Sequence, residues 1–169
     1  GQSNFTSPFF LSTLNGTNGF VIQGTAIGDK TGYSVSNIGD VNNDGIQDII
    51  IGAYAATPVG LTQAGKAYEW FGKRGVWNSS FSPALRNGTN GFELDGENSN
   101  DWSGFSVSGA GDVNNDGFQD ILIGAPHVSP IGLTYAGKTY VVFGKANWTA
   151  RISLGSLNGV NGFEIAGAT

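Results

Sequence analysis

The chain has no cysteine and no methionine, one histidine, five prolines and only 12% charged residues. Without cysteine there are no disulfides and no thiolate metal sites, which leaves the compartment open. Leu, Glu and Lys, the common helix formers, are scarce, so long helices are not expected. No apolar run is long enough to span a bilayer. Basic residues are outnumbered and the formal charge is −5, which excludes a nucleic-acid partner on electrostatic grounds. Gly1 stands where an unprocessed chain would carry methionine or a signal sequence, so a processed or trimmed chain is expected. What the sequence does hold is 28 glycines, 39% hydrophobic residues and 12% aromatic residues in 169 positions. That is enough for one domain with a sizeable core, built from turns and short strands.

Internal repetition organises the chain. Residues 32–73 align without gaps on 104–145 at an offset of 72, with 28 of 42 positions identical. A shorter element occurs three times, as LNGTNGF (14–20), RNGTNGF (86–92) and LNGVNGF (157–163). Its last spacing is 71, because KRGVW (73–77) becomes KANW (145–148). Each repeat reads as four short strands. GYSVSNIGDV and GFSVSGAGDV alternate small or polar with apolar residues, while DIIIGA and DILIGA are continuous apolar runs expected to be covered on both faces. KAYEWFGK and KTYVVFGK follow, then GFELDG and GFEIAG, of which GFVIQG (19–24) is a third copy. Asn-Gly pairs at 15–16, 87–88 and 158–159 predict tight turns with positive φ.

A four-stranded repeat of about 70 residues is what one blade of a β-propeller looks like. The expected organisation is a leading segment with an extra outer strand (1–31), a first blade (32–96) and a second blade (104–167). Two blades cannot close a ring of the usual 4–8. The ring is therefore incomplete unless the chain oligomerises or belongs to a longer one, and its open strand edges would be prone to associate.

The most charged stretches are GDVNNDGIQD (39–48) and GDVNNDGFQD (111–120), which hold six of the thirteen acids. Asp40, Asn42 and Asp44 occupy positions 1, 3 and 5 of a loop, Gly45 permits the bend at 6, Ile46 offers a carbonyl at 7 and Asp48 sits at 9. The second set is Asp112, Asn114, Asp116, the Phe118 carbonyl and Asp120. Hard oxygen ligands at alternating positions match the demands of Ca²⁺. An EF-hand is excluded, because position 12 is Ile51 or Ile123 rather than Glu, and strands rather than helices flank the loop. One Ca²⁺ per loop would bring the net charge to about −1. The alternative is an Asx-rich turn that closes on its own hydrogen bonds without a metal.

These motifs together (GYSVS and GFSVS, both Asp loops, GAP at 124–126, YEWFG and YVVFG) resemble the FG-GAP repeat of integrin α-subunit β-propellers, over about 150 of the 169 residues. Thr31 and Ser103 stand where that family often has Phe, and Tyr54 replaces its proline. The resemblance implies Ca²⁺ between strands one and two, an extracellular or cell-surface setting, and ligands on the opposite face. That face would be built from the loops 54–65, 126–137, 25–31 and 97–103, among which ENSNDW (97–102) is the most polar and aromatic.

No nucleophile accompanies His127, read as a surface residue, and Glu69 becomes Val141 in the second repeat, so no catalytic pair is shared. Five Asn-x-Ser/Thr sequons (Asn4, Asn15, Asn78, Asn87, Asn147) bear on a eukaryotic secretory pathway alone. The expected function is a non-catalytic, calcium-binding module for extracellular adhesion or binding of a protein or glycan. The alternatives are a glycan-binding accessory domain of a polysaccharide-degrading enzyme, with Trp102 at the sugar, and a structural spacer repeat.

Overall fold

The computed structural model describes residues 10–130 and 132–167; the Asn4 sequon lies outside them. Among these residues the regular elements are strands and single 3₁₀ turns. Among the described residues no helix is long and apolar enough to cross a membrane. In chain order the strands are β1 (Val21–Ile22), β2 (Ser34–Gly39), β3 (Asp48–Ala53), β4 (Lys66–Trp70), β5 (Ser80–Phe81), β6 (Gly91–Asp95), β7 (Ser106–Gly111), β8 (Asp120–Ala125), β9 (Lys138–Val142), β10 (Arg151–Ser153) and β11 (Gly162–Ala166).

Each repeat folds into the same antiparallel meander, β2-β3-β4-β6 and β7-β8-β9-β11. The registers match residue for residue. Ser34 faces Gly52 and Ser106 faces Gly124, and both first strands bulge shortly before the Asp loop, at Asn37/Gly39 and Gly109/Gly111. A bulge raises the local twist and bends the strand, and it stands at the same position before each loop.

Burial of β3 explains its apolar run. Ile50 faces the second repeat, packed with Ile38, Phe92, Leu94, Ile121, Ile123 and Tyr140. Ile51 points the other way, onto Tyr68 and Trp70. A strand covered on both faces needs no polar alternation. The two sheets meet closely because Gly52 has no side chain. A Cβ there would lie 2.0 Å from the Gly104 carbonyl oxygen, which instead accepts a hydrogen bond from the Ser34 hydroxyl at 2.8 Å.

One feature goes beyond four strands per repeat. After β9 the chain crosses to the first sheet, where β10 pairs in parallel with β6 before the chain returns as β11. β1 and β5 make the equivalent parallel pair, Val21 with Ser80 and Ile22 with Phe81. A tryptophan anchors each crossing. Trp148 stacks on Phe92 with ring centroids 3.9 Å apart, and Trp77 stacks on Phe20 at 4.7 Å.

Candidate functional site

The two Asp loops lie between β2 and β3 and between β7 and β8, and they adopt one conformation. In the first loop Asp40 accepts hydrogen bonds from the backbone N–H of Asp44 (3.0 Å) and Gly45 (2.7 Å). Asn42 Oδ1 accepts from Asp44 N–H at 3.1 Å, and Asp44 Oδ1 accepts from Ile46 N–H at 2.9 Å. The second loop repeats this with Asp112, Asn114, Asp116 and Phe118 at 2.9–3.1 Å. Asn43 and Asn115 take φ of +58° and +59° and Gly45 and Gly117 of +83° and +91°, the left-handed turns that curl each chain around its carboxylates.

Position 9 is different. Asp48 and Asp120 have no solvent exposure. Asp48 accepts from Val41 N–H (2.9 Å) and Gly72 N–H (2.8 Å), tying the loop to the end of β4. Asp120 does the same with Val113 and Gly144, each at 2.8 Å. Burial raises the Asp48 pKa to about 6, and the charges of Asp44 and Asp40 push it the same way. The first loop also grips the second repeat, since the carbonyls of Asp40 and Val41 accept from Gln119 N–H (3.3 Å) and Lys145 N–H (3.0 Å).

Among the described residues no three acidic or imidazole side chains converge as a ready metal cluster. The donor set nevertheless suits a hard cation: carboxylate, amide and carbonyl oxygens within nine residues, with no nitrogen or sulfur ligand. An ionised carboxylate has about four acceptor positions. One N–H bond to each oxygen leaves capacity for an ion.

At the opposite ends of the strands the loops gather aromatic rings from both repeats. Tyr33 packs on Tyr54 (4.7 Å) and Phe105 (4.9 Å), and Tyr54 on Trp102 (5.2 Å). Trp102 stacks on His127 at 3.6 Å, and His127 reaches Tyr135 at 4.9 Å. Trp102 holds a positive φ of +61°, and its indole N–H reaches Gln63 Oε1 at 3.4 Å. The sequence placed Trp102 and ENSNDW on this face but read His127 as an isolated surface residue. Its partners Tyr135 and Trp102 lie 8 and 25 positions away, a proximity that no local pattern signals. A residue-by-residue comparison of the loops in the two repeats carries that signal.

Between the repeats Glu97 accepts from Lys138 Nζ (3.2 Å) and the Tyr140 hydroxyl (3.0 Å). Burial of the phenol, with the Glu97 charge beside it, raises the Tyr140 pKa. This polar latch joins the two sheets near the loop face.

The FG-GAP repeat profile matches residues 31–70 and 103–142, the first three strands of each of the two sheets just described. Integrin alpha-6 of Gallus gallus is 31% identical over 153 residues, which is 87% of this chain and 13% of that protein. Integrin alpha-6 of Homo sapiens is 31% identical over 150 residues, covering 87% and 12%. A phosphatidylinositol-glycan-specific phospholipase D of Bos taurus is 31% identical over 122 residues, covering 68% and 13%. The chain thus spans about an eighth of the length of these relatives. Matched motifs, duplicated sheets and equal registers agree: the chain carries two FG-GAP repeats, folded as neighbouring β-propeller blades of the integrin α-subunit kind.

Proposed function

We propose that this chain is a non-catalytic, calcium-binding β-propeller module that works outside the cell in adhesion or ligand binding. The observation that carries the proposal is the pair of Asp loops, identical in donor residues and in conformation, each braced to its own sheet. Ca²⁺ would be held by Asp40, Asn42, Asp44, the Ile46 carbonyl and Asp48, and by Asp112, Asn114, Asp116, the Phe118 carbonyl and Asp120. The ion would offset the mutual repulsion of three carboxylates, which the backbone N–H groups offset only in part. The buried carboxylate of Asp48 links the loop to Gly72, and the Asp40 and Val41 carbonyls link it to the second repeat. A cation there stiffens the junction between blades and so fixes the loops at the far ends of the strands. Those loops carry the aromatic belt from Tyr33 to Tyr135, the surface suited to a ligand.

A non-catalytic role is supported by where the acids lie. Glu69 is sealed in the core, Glu93 and Asp95 pair with Lys66, and Asp101 is held by Asn98. The phospholipase D named among the relatives shares only 13% of its length with this chain. Similarity to integrin α-subunits supports the cell-surface setting.

Thermal melting with excess calcium and after chelation tests the metal. A ligand at 100 times its Kd stabilises by about 2.7 kcal/mol per site, so a shift of several degrees is expected. The double variant Asp44→Ala with Asp116→Ala should lose that shift. Identical curves for the unaltered chain in both conditions would remove calcium from the mechanism.

A further inference from the structure

Loop 97–102 and the loop after β8 line an open surface cavity of about 290 Å³ that the calcium-binding reading does not use. Its walls include Asn98, Asn100, Asp101, His127, Ser129 and Tyr135. We propose that this cavity is a binding subsite for a neutral pyranose sugar, the terminal or penultimate unit of an uncharged glycan. The assignment rests on the reading that this face of the module binds a ligand, and it names the ligand's chemical class.

The internal repeat is the control. At the offset of 72, Asn98, Trp102, His127 and Tyr135 correspond to Ala26, Lys30, Ala55 and Gln63. The backbone is the same in both places. Lys30 and Trp102 have φ of +59° and +61°, and Gln63 and Tyr135 of +49° and +56°. Gln63 N–H is held by the Thr57 hydroxyl and Tyr135 N–H by the Ser129 hydroxyl. Gly65 N–H bonds the Ala56 carbonyl at 3.0 Å, and Gly137 N–H bonds the Val128 carbonyl at 2.9 Å. One backbone therefore forms with two alanines, a lysine and a glutamine in the first repeat, and with three ring side chains and an asparagine in the second. The fold does not require the ring and amide side chains, and two of them sit at strained left-handed positions that cost roughly 1 kcal/mol or more each.

Chemistry then selects the ligand. Hydroxyl-rich ligands with apolar C–H faces need an aromatic wall and a rim of amide, hydroxyl and carboxylate groups. Tyr135, 64% exposed and packed against His127 at 4.9 Å, supplies the wall, and Trp102 backs His127 at 3.6 Å. Asn98, Asn100 and Ser129 supply the rim, and the Asp101 carboxylate, only 6% exposed, is oriented by Asn98 N–H at 3.0 Å. No Lys or Arg lines the cavity, so phosphate, sulfate and acidic sugars would meet a carboxylate with no counter-charge. The nearby cation of the second sheet, Lys138, is engaged by Glu97 and Glu164.

The test is a glycan array followed by titration of the best neutral binder, with the 169-residue chain and the double variant His127→Ala with Tyr135→Gln. That variant rewrites the cavity in the residues the first repeat folds with. Binding of a neutral glycan by the unaltered chain, weakened at least tenfold in the variant, is the expected result. Should the variant fail to fold, Asn98→Ala, which mirrors Ala26, takes its place with the same criterion. The assignment is overturned by binding of acidic glycans alone, by no glycan binding, by affinity equal in chain and variant, or by competition from free arginine in place of neutral sugar. Calcium-dependent melting is recorded on the same samples. A calcium shift without neutral-glycan binding rejects the subsite and leaves the module standing, whereas glycan binding without a calcium shift does the reverse.

Discussion

Glu69 is an acid inside the seam between two sheets. It is fully buried in β4, opposite Ile50 and Phe92, and neither carboxylate oxygen makes a well-formed hydrogen bond among the described residues, the Phe92 backbone N–H favouring the charged form only weakly. Burial first, and the Asp48 charge second, raise its pKa well above the usual carboxylate range, while Arg86 acts against the shift. An acid whose pKa is raised on folding is held protonated in the folded state where the unfolded chain releases the proton. Its cost is therefore absent below the ordinary glutamate pKa of about 4.3 and grows as pH rises above it. The second repeat avoids the cost with Val141. Glu69→Gln should raise stability at pH 8 by more than about 1 kcal/mol, since the amide has no proton to release and each unit of raised pKa is worth about 1.4 kcal/mol, and change little at pH 4. Urea unfolding at the two pH values measures this. Equal stability of both proteins at pH 8 would mean that Arg86 offsets the buried charge in full.

At the level of elements, most of the blade could be read from the sequence, and the crossing strand could not. The apolar run of β3, the aromatic β4 and the Asn-Gly hook each announce themselves by local composition. The hook also explains its own residues. Asn87 Oδ1 accepts from the Thr89 N–H and hydroxyl, and Asn90 Nδ2 reaches back to the Leu85 carbonyl at 3.1 Å, so the Asn87 sequon has a structural use. Gly88, at φ +84°, leaves room for the Trp148 carbonyl, 2.3 Å from where a Cβ would sit. β5 and β10 are two and three residues long, differ in sequence and pair in parallel with distant partners, so no periodicity betrays them. The one-residue slip between KRGVW and KANW falls in this crossing, where an irregular segment absorbs it. What β10 lacks in length its flanks supply, through the Trp148–Phe92 stack and Arg151 paired with Glu93 and Asp95. Trp148→Ala should cost about 3–5 kcal/mol, as for other large aromatic truncations in a core. A loss below about 1 kcal/mol by urea unfolding would show that the strand holds without its anchor.

The whole molecule is two copies of one sheet joined by a seam, and the seam is where sequence reasoning reached least far. The Asp loops were legible because each donor set falls within nine consecutive residues. The cavity beside His127 was not: the resemblance put loops 97–103 and 126–137 on one face, but which of their side chains meet is set by the folding of both loops. Nearest-neighbour interfaces carry the stability of repeat proteins, so a lesion at the seam should be felt differently from the same lesion at an outer surface. Gly52 and Gly124 provide the comparison. An alanine methyl at 52 meets the Gly104 backbone oxygen at 2.0 Å, on the neighbouring repeat, where only movement of a whole sheet relieves it. At 124 it meets the Ser106 hydroxyl at 2.2 Å, a side chain that can rotate away. Gly52→Ala should therefore lower stability by at least the roughly 1–3 kcal/mol typical of overpacking, and Gly124→Ala by clearly less. If the repeats unfold as one unit, Gly52→Ala should also uncouple them and lower the urea m-value, since each sheet then exposes its surface separately. Equal losses from both variants with an unchanged m-value would mean that the seam is soft, and that the blades are coupled through β10 and the Asp40–Val41 carbonyls instead.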